Sequence, residues 1–150
     1  MIKFISFSLI FPIWKNQLWP DRIESSITQT SAMMFLSGHD SKNFYNSPVF
    51  FGFYIHDNLV GVNSGHMCVD SSFRSRGLFV YPNYRGRGIG QELLYETISY
   101  AKKRKAKFIW SLPKKTSWHT YHKVGFKIAS EWFKTDTSYA NAYCYKLLNG

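Results

Sequence analysis

The sequence predicts a mixed α/β (α+β) fold, a central sheet of six to seven strands flanked by about four helices. Three observations carry that expectation. Aromatic residues make up 19% of the chain and gather with valine and isoleucine in short runs between turn residues, which is strand texture. One segment, 88–105, changes to helical spacing, and a short apolar run follows it at once, so that strand, loop, helix and strand succeed one another. A length of 150 residues with 45% hydrophobic content suits a single domain, 1–150, with one packed core.

The first run, MIKFISFSLIFPIW, begins like a secretion signal, with one lysine ahead of apolar residues. No small-residue cleavage site follows, and serines break the run before it could span a bilayer. Residues 2–11 are therefore read as the first strand and the protein as cytoplasmic. Pro20 then opens a polar segment in which Asp21 and Glu24 favour the positive pole of a helix. The span 20–45 reads as helical in pieces, ended by the loop chemistry of SGHDSKNFYNSP.

VFFGFYIHDNLVGVNSGHMCV reads as a hairpin turning at His56, Asp57 and Asn58, since aromatic and β-branched residues flank a short turn cluster. A third strand, GLFVYP, follows the polar DSSFRSR and stops at Pro82, which has no amide to donate. Ile89, Leu93, Leu94, Thr97, Ile98 and Ala101 then recur at helical intervals, predicting a helix from Gly88 to Lys105. Its end, KKRKAK, sets cations against the negative pole of the helix. KFIWSLP is a short buried strand reached by a crossover, which implies parallel pairing. A short helix from Ser117 to Lys123 ends at Gly125. FKIASEWF and YANAYCYKLL are two final strands, with a turn from Thr135 to Ser138.

A formal net charge of +10 attracts anions of many kinds without choosing among them. Cys68 and Cys144 stand far apart with no CxxC pair, so they signal neither a metal centre nor a disulfide framework and are read as two buried thiols in a reducing compartment. The stretch FVYPNYRGRGIGQELL is more specific. A glycine-rich turn between a strand and a helix leaves backbone amides free at the positive helix pole, which is a cradle for phosphate. It lacks the Gly-Lys-Ser/Thr ending of a nucleotide P-loop and the G-x-G-x-x-G order of a dinucleotide site. One reading of such a surface is a basic nucleic-acid-binding module, with bases stacked on Tyr81, Tyr84 or Trp118.

Arg85-Gly86-Arg87-Gly88-Ile89-Gly90 has the pattern R-x-x-G-x-G, and about thirty residues on stands YHKVGF, Tyr121 to Phe126. With these two motifs and the order of elements between them, the sequence resembles the GCN5-related N-acetyltransferase (GNAT) superfamily. The resemblance implies a GNAT-like fold, an acyl-CoA donor, most simply acetyl-CoA, and direct transfer of the acyl group to a primary amine on a small molecule or protein. It implies that backbone near Phe79 and Val80 meets the pantetheine arm, and that the amides of Arg85, Gly86, Arg87, Gly88, Ile89 and Gly90 hold the pyrophosphate. Lys114, Ser117 and Lys123 are further candidates for cofactor binding, with Lys114 and Lys115 suited to the 3′-phosphate, whose charge they would balance. Tyr121 matches the usual proton donor to the departing sulfur.

Many members carry a glutamate on the fourth strand as general base, but FRSRGLFVY contains no carboxylate. His66, Asp70 and His119 are the remaining candidates, and water could serve in their place. Arg74 and Arg76, just before the cofactor strand, suggest either an anionic, carboxylate-bearing acceptor or simple solubilising charges. The missing carboxylate also leaves open a GNAT fold that binds acyl-CoA without turnover.

Overall fold

Polar Ser6 interrupts the first apolar run, and the chain changes period there. In the computed structural model, which describes residues 1–39, 47–134 and 139–148, strand β1 (Ile2–Phe4) is followed by helix α1 (Phe7–Ile13) and a wider π-helical turn, Trp14–Leu18. The strand expected through residue 11 therefore ends at Phe4. Ile10, Ile13 and Trp14 are the buried positions, a spacing of three and four that only a helix brings to one face. The span expected to be helical in pieces holds two single 3₁₀ turns, Glu24–Ser26 and Phe35–Ser37. The rest of that expectation, residues 40–46, lies outside the described residues.

The aromatic and β-branched runs form β2 (Val49–Ile55), β3 (Asn58–Met67) and β4 (Phe73–Val80), antiparallel in that order, with the first turn at His56 as expected. β4 starts four residues before the predicted strand, so Arg74 and Arg76 lie inside it rather than ahead of it. Their apolar stems are buried and their charged heads rest on tryptophan rings, a packing that polarity alone does not signal. Helix α2 (Ile89–Lys103) crosses back to β5 (Phe108–Ser111), which pairs parallel to β4. Helix α3 (Trp118–Lys123) follows and closes at Gly125, φ +100°.

Each of the last two runs is broken in two. They supply β6 (Lys127–Ile128), β7 (Phe133–Lys134), β8 (Ala140–Asn141) and β9 (Cys144–Leu147). The break comes where the Ser130 hydroxyl accepts the Tyr143 amide at 2.9 Å, so a side chain replaces a ladder bond. The turn expected from Thr135 to Ser138 lies outside the described residues. The main sheet runs β1-β2-β3-β4-β5-β9-β6, and β7 pairs with β8 separately. Three α-helices are present among the described residues, where about four were expected.

The larger core lies between the sheet and α2. Leu93 and Leu94 are fully buried there with Ile89, Ile98 and Ala101, each leucine contributing about 1.5–3 kcal/mol. Asn63 threads this core, donating at 2.9 Å to both Ser75 Oγ and Thr97 Oγ1, so β3, β4 and α2 share one buried polar link. A second core on the opposite face gathers Ile10, Trp14, Phe50, Val62 and Phe79 under α1. Cys68 and Cys144 are buried free thiols. Among the described residues no helix is long and apolar enough to cross a membrane.

Candidate active site

The parallel pair of strands comes apart almost as soon as it forms. β4 and β5 are in register only at Phe73 with Ile109 and Arg74 with Trp110. Ser111 Oγ then donates to the Ser75 carbonyl at 2.8 Å. Beyond that bond β4 runs on to Val80, whereas the other chain passes through Pro113, which has no amide to continue a ladder. The cause on the β4 side is a bulge. Val62 pairs with Phe79 and Ser64 with Arg76, so Gly77 and Leu78 share the space opposite Asn63. Gly77 takes φ +81°, the left-handed conformation that lets a strand absorb an extra residue and bend.

The extra residue also shifts the side-chain alternation. Before it, Phe73 faces the α2 core and Arg76 faces Trp14; after it, Leu78 and Val80 join the α2 core and Phe79 packs under α1. A gap is left between the strands, with backbone of β4 along one wall.

At the far end of β4 is the glycine loop. Gly86 and Gly88 have φ +78° and +79°, and a Cβ added at either would meet nothing within 4 Å. Their glycines thus serve the backbone turn and leave open space above it. Gly88 caps α2, with its carbonyl accepting the Glu92 amide at 3.0 Å, and the amides before Glu92 point out of the helix start. Arg85 folds back, Nε donating to the Val80 carbonyl at 2.7 Å and the guanidinium 5.3 Å over Phe79. Arg87 lies 5.3 Å over Tyr84. Ile89 is a core residue, so only its backbone is available to a ligand. Gly90 is needed for close approach: a Cβ there would lie 3.2 Å from Thr120 and 3.9 Å from Leu78 and Val80. The start of α2, the end of β4 and α3 therefore converge at one mouth of the gap.

Tyr121 enters from α3. It is buried, 5.4 Å ring to ring from Phe126, and lines the cavity beside Ser111. Burial pushes its phenol well above the usual tyrosine range, Cys144 adds to that, and the Ser111 hydroxyl and Arg74 oppose it. The group keeps its proton throughout the physiological range.

The other mouth of the gap is a cavity of 530 Å³ whose walls include Trp19, Arg22, Arg74, Arg76, Lys114 and Tyr121. No aspartate or glutamate among the described residues lines it. Trp19 lines it, and Trp14, five residues earlier across the π-helical turn, is fully buried behind it with the ring centres 5.1 Å apart. Arg76 lies 4.9 Å over Trp14 and 5.1 Å over Trp19, with Nη1 donating to the Thr28 carbonyl at 2.7 Å. Arg74 lies 4.8 Å over Trp110. Burial lowers Arg74 to about 10 and lowers Arg76 well below its ordinary value, with Arg74 and Arg22 adding to the shift of Arg76.

The sequence-predicted residues divide between these places. Phe79, Val80 and the loop from Arg85 to Gly90 border the glycine end, while Tyr121 and Ser117 line the cavity. Lys114 is not at the glycine end: its Nζ donates to the Leu18 carbonyl at 3.1 Å and lies 4.3 Å over Tyr139, on the cavity wall. An isolated bridge from Lys114 to Asn141 turns it that way. Lys123 is exposed at the end of α3.

The three base candidates are not brought into the cavity. His66 is 1% exposed, its Nε2 accepts the Ser31 amide at 3.3 Å, and its Nδ1 lies 3.3 Å from the Met67 carbonyl. Burial first, and Arg74 second, lower its pKa to about 3, so the ring is neutral. Asp70 caps the β3–β4 turn, accepting the Ser72 amide at 3.0 Å and hydroxyl at 2.6 Å. His119 is exposed on α3, 3.4 Å from Thr120 Oγ1. Sequence reasoning missed Trp14, Trp19, Gly77 and Ser111. Of these only Gly77 carried a signal, a glycine inside an otherwise β-forming run.

A model of the acetyltransferase (GNAT) family matches residues 12–126. No curated protein matches the sequence. Among solved structures, the fold is similar to that of a GNAT-family acetyltransferase from Staphylococcus aureus, at 19% identity and TM-score 0.66 over 99% of this chain and 100% of that one. It is similar to an aminoglycoside 6′-N-acetyltransferase complexed with coenzyme A, at 12% identity and TM-score 0.69 over 100% and 98%. A protein assigned as a streptothricin acetyltransferase from Bacillus anthracis, in complex with acetyl coenzyme A, matches at 18% identity and TM-score 0.62 over 69% of this chain, which spans only 64% of that one. At these identities the likeness is one of fold.

Proposed function

This chain belongs to the GNAT acetyltransferase family, and on that premise we propose that it transfers an acetyl group from acetyl-CoA to a primary amine bound in the cavity, with Tyr121 as proton donor. The observation that carries the reading is the parting of β4 from β5: the gap has a glycine loop at one mouth and, at the other, a cavity lined by a buried, protonated phenol. Acetyl-CoA, when bound, supplies a thioester carbonyl that an uncharged amine attacks, forming the C–N bond as the C–S bond breaks.

The chain's own groups fit that donor. Open space over Gly86 and Gly88 admits a pyrophosphate to the amides of residues 85–90, and positive potential from the helix start and two arginines favours it. The exposed edge of β4 offers Leu78, Phe79 and Val80 backbone to the pantetheine arm. Tyr121 holds its proton until sulfur leaves as thiolate, and solvent restores it.

Among the described residues no lining carboxylate takes the amine's proton, and the engaged, neutral imidazole of His66 is unsuited to it. The cavity's cations suggest how this step proceeds. Four like charges on the walls lower the pKa of an ammonium that enters, so water can accept its proton.

A thermal-shift titration tests the function. Acetyl-CoA at about a hundred times its dissociation constant stabilises the protein by roughly 2.7 kcal/mol. The expected result is a raised midpoint in the wild type, loss of that response in Gly88→Val, and no response to a short single-stranded oligonucleotide. A response to the oligonucleotide alone would assign the glycine loop to a nucleic-acid surface and overturn the reading.

A further inference from the structure

Two guanidinium groups sit side by side on one face of β4, and neither has a carboxylate partner among the described residues. Arg74 and Arg76 are only 7% and 5% exposed. A buried, unpaired charge is costly, and an adjacent like charge makes it more so. Arg76 is partly provided for by the Thr28 carbonyl. Arg74 is not: its Nε and Nη1 are buried with no hydrogen-bond partner. Its plane rests on the Trp110 indole, which satisfies the face of the guanidinium but none of its N–H groups. Arg74 itself stands on the wall of a cavity that also receives Arg22 and Lys114 and no carboxylate among the described residues.

We propose that the acceptor is a small amine that also bears an anionic oxygen group, carboxylate or phosphate, and that Arg74 and Arg76 bind that group and select the substrate. This rests on the acetyl-transfer reading and narrows its acceptor. An acceptor anion held against Arg74 and Arg76 would compensate two buried charges that have no carboxylate partner among the described residues. The position on the strand fits as well. Arg76 directly precedes the Gly77 bulge and Arg74 stands two residues further from it, so an anion held there is about 3–10 Å along the strand from the gap. A molecule of amino-acid size spans that distance. Trp19, on the cavity wall, lies over Arg76 and keeps water from that side of its charge.

The test follows thiol release from acetyl-CoA with paired amines that differ in one group: amino acids against their C-terminal amides, and O-phosphoethanolamine against ethanolamine, with an aminoglycoside as a polycationic amine. Wild type, Arg74→Met and Arg74→Lys are compared. A hydrogen-bonded charge of this kind corresponds to about 10- to 100-fold in kcat/KM. The expected result is that anionic members exceed their neutral partners by that factor, chiefly through KM. Arg74→Met brings the ratio close to one, and Arg74→Lys recovers part of it. The carboxylate and phosphate pairs show which anion is read. Arg74→Met should also melt no lower than wild type, because it removes a buried charge without opening a polar vacancy.

Neutral or polycationic amines acetylated as well as their anionic counterparts, with acetyl-CoA binding intact, would overturn the proposal and leave acetyl transfer standing. Absence of any acetyl-CoA response would strike at acetyl transfer instead. The anion site is then read from midpoint shifts by the same carboxylates and phosphates alone, and shifts that Arg74→Met does not abolish would overturn it.

Discussion

The indole Nε1 of Trp14 donates a 2.9 Å hydrogen bond to the carbonyl of Gly77, joining the end of the N-terminal helix to the bulge that parts β4 from β5. A Cβ at Gly77 would overlap the same indole ring. Helix, bulge and gap are thus one mechanical unit, and the N-terminal helix is fastened to the strand that borders the proposed donor site.

Gly77→Ala combines a left-handed φ of +81° with that overlap, a cost of about 1–3 kcal/mol from backbone strain alone. Trp14→Phe shortens a fully buried ring and loses one hydrogen bond, the bond alone worth about 1 kcal/mol and the cavity adding to it. Thermal melts should place both variants below wild type, with acetyl transfer reduced in each. A Gly77→Ala protein that melts with the wild type would show that the bulge does not need its glycine.

Tyr121→Phe removes a hydroxyl and keeps the ring against Phe126. Acetyl-CoA should still raise the melting midpoint, while kcat falls about a hundredfold, the lower end for loss of a general acid. Because burial raises the phenol's pKa, the wild-type rate should show no basic limb from Tyr121 below about pH 10. An unchanged kcat in the variant would remove Tyr121 from the reaction.

His66 ties stability to acidity. Burial lowers its pKa from the ordinary 6.5 to about 3 in the fold. Between those values the unfolded chain holds more protons, so stability rises with pH and is lost as pH falls from about 6.5 toward 3. The slope from this one group is at most about 1.4 kcal/mol per pH unit. Denaturant melts at stepped pH should show that slope in wild type and a shallower one in His66→Gln. Equal slopes would mean that the acid sensitivity belongs to other groups.

The proposed donor half of the site rests on residues that the sequence already singles out, because its chemistry is local. A glycine loop between a strand and a helix, Arg85 to Gly90, exposes amides whatever the remainder of the chain does, and Tyr121 lies in a contiguous motif. The strands β2 and β3 and the helix α2 were likewise set by periodicity in the residues themselves. The N-terminal run misled because apolar residues broken by serine suit either period, and only the cover that α1 gives to Phe50 and Phe79 decided for helix.

The proposed acceptor half was legible only in part, since it is assembled from places far apart in the chain. In sequence Arg74 and Arg76 read either as contacts for an anionic acceptor or as solubilising charges ahead of the strand, and Lys114 as a cofactor contact. It took burial within β4 to lay Arg76 against Trp14 and Trp19 and Arg74 against Trp110, and the bridge to Asn141 to turn Lys114 toward the same cavity. The sequence by itself determined which backbone can cradle a phosphate. Only the tertiary structure decided which charges are buried without a partner, because burial depends on what distant segments pack above a residue and not on the residue's neighbours in the chain.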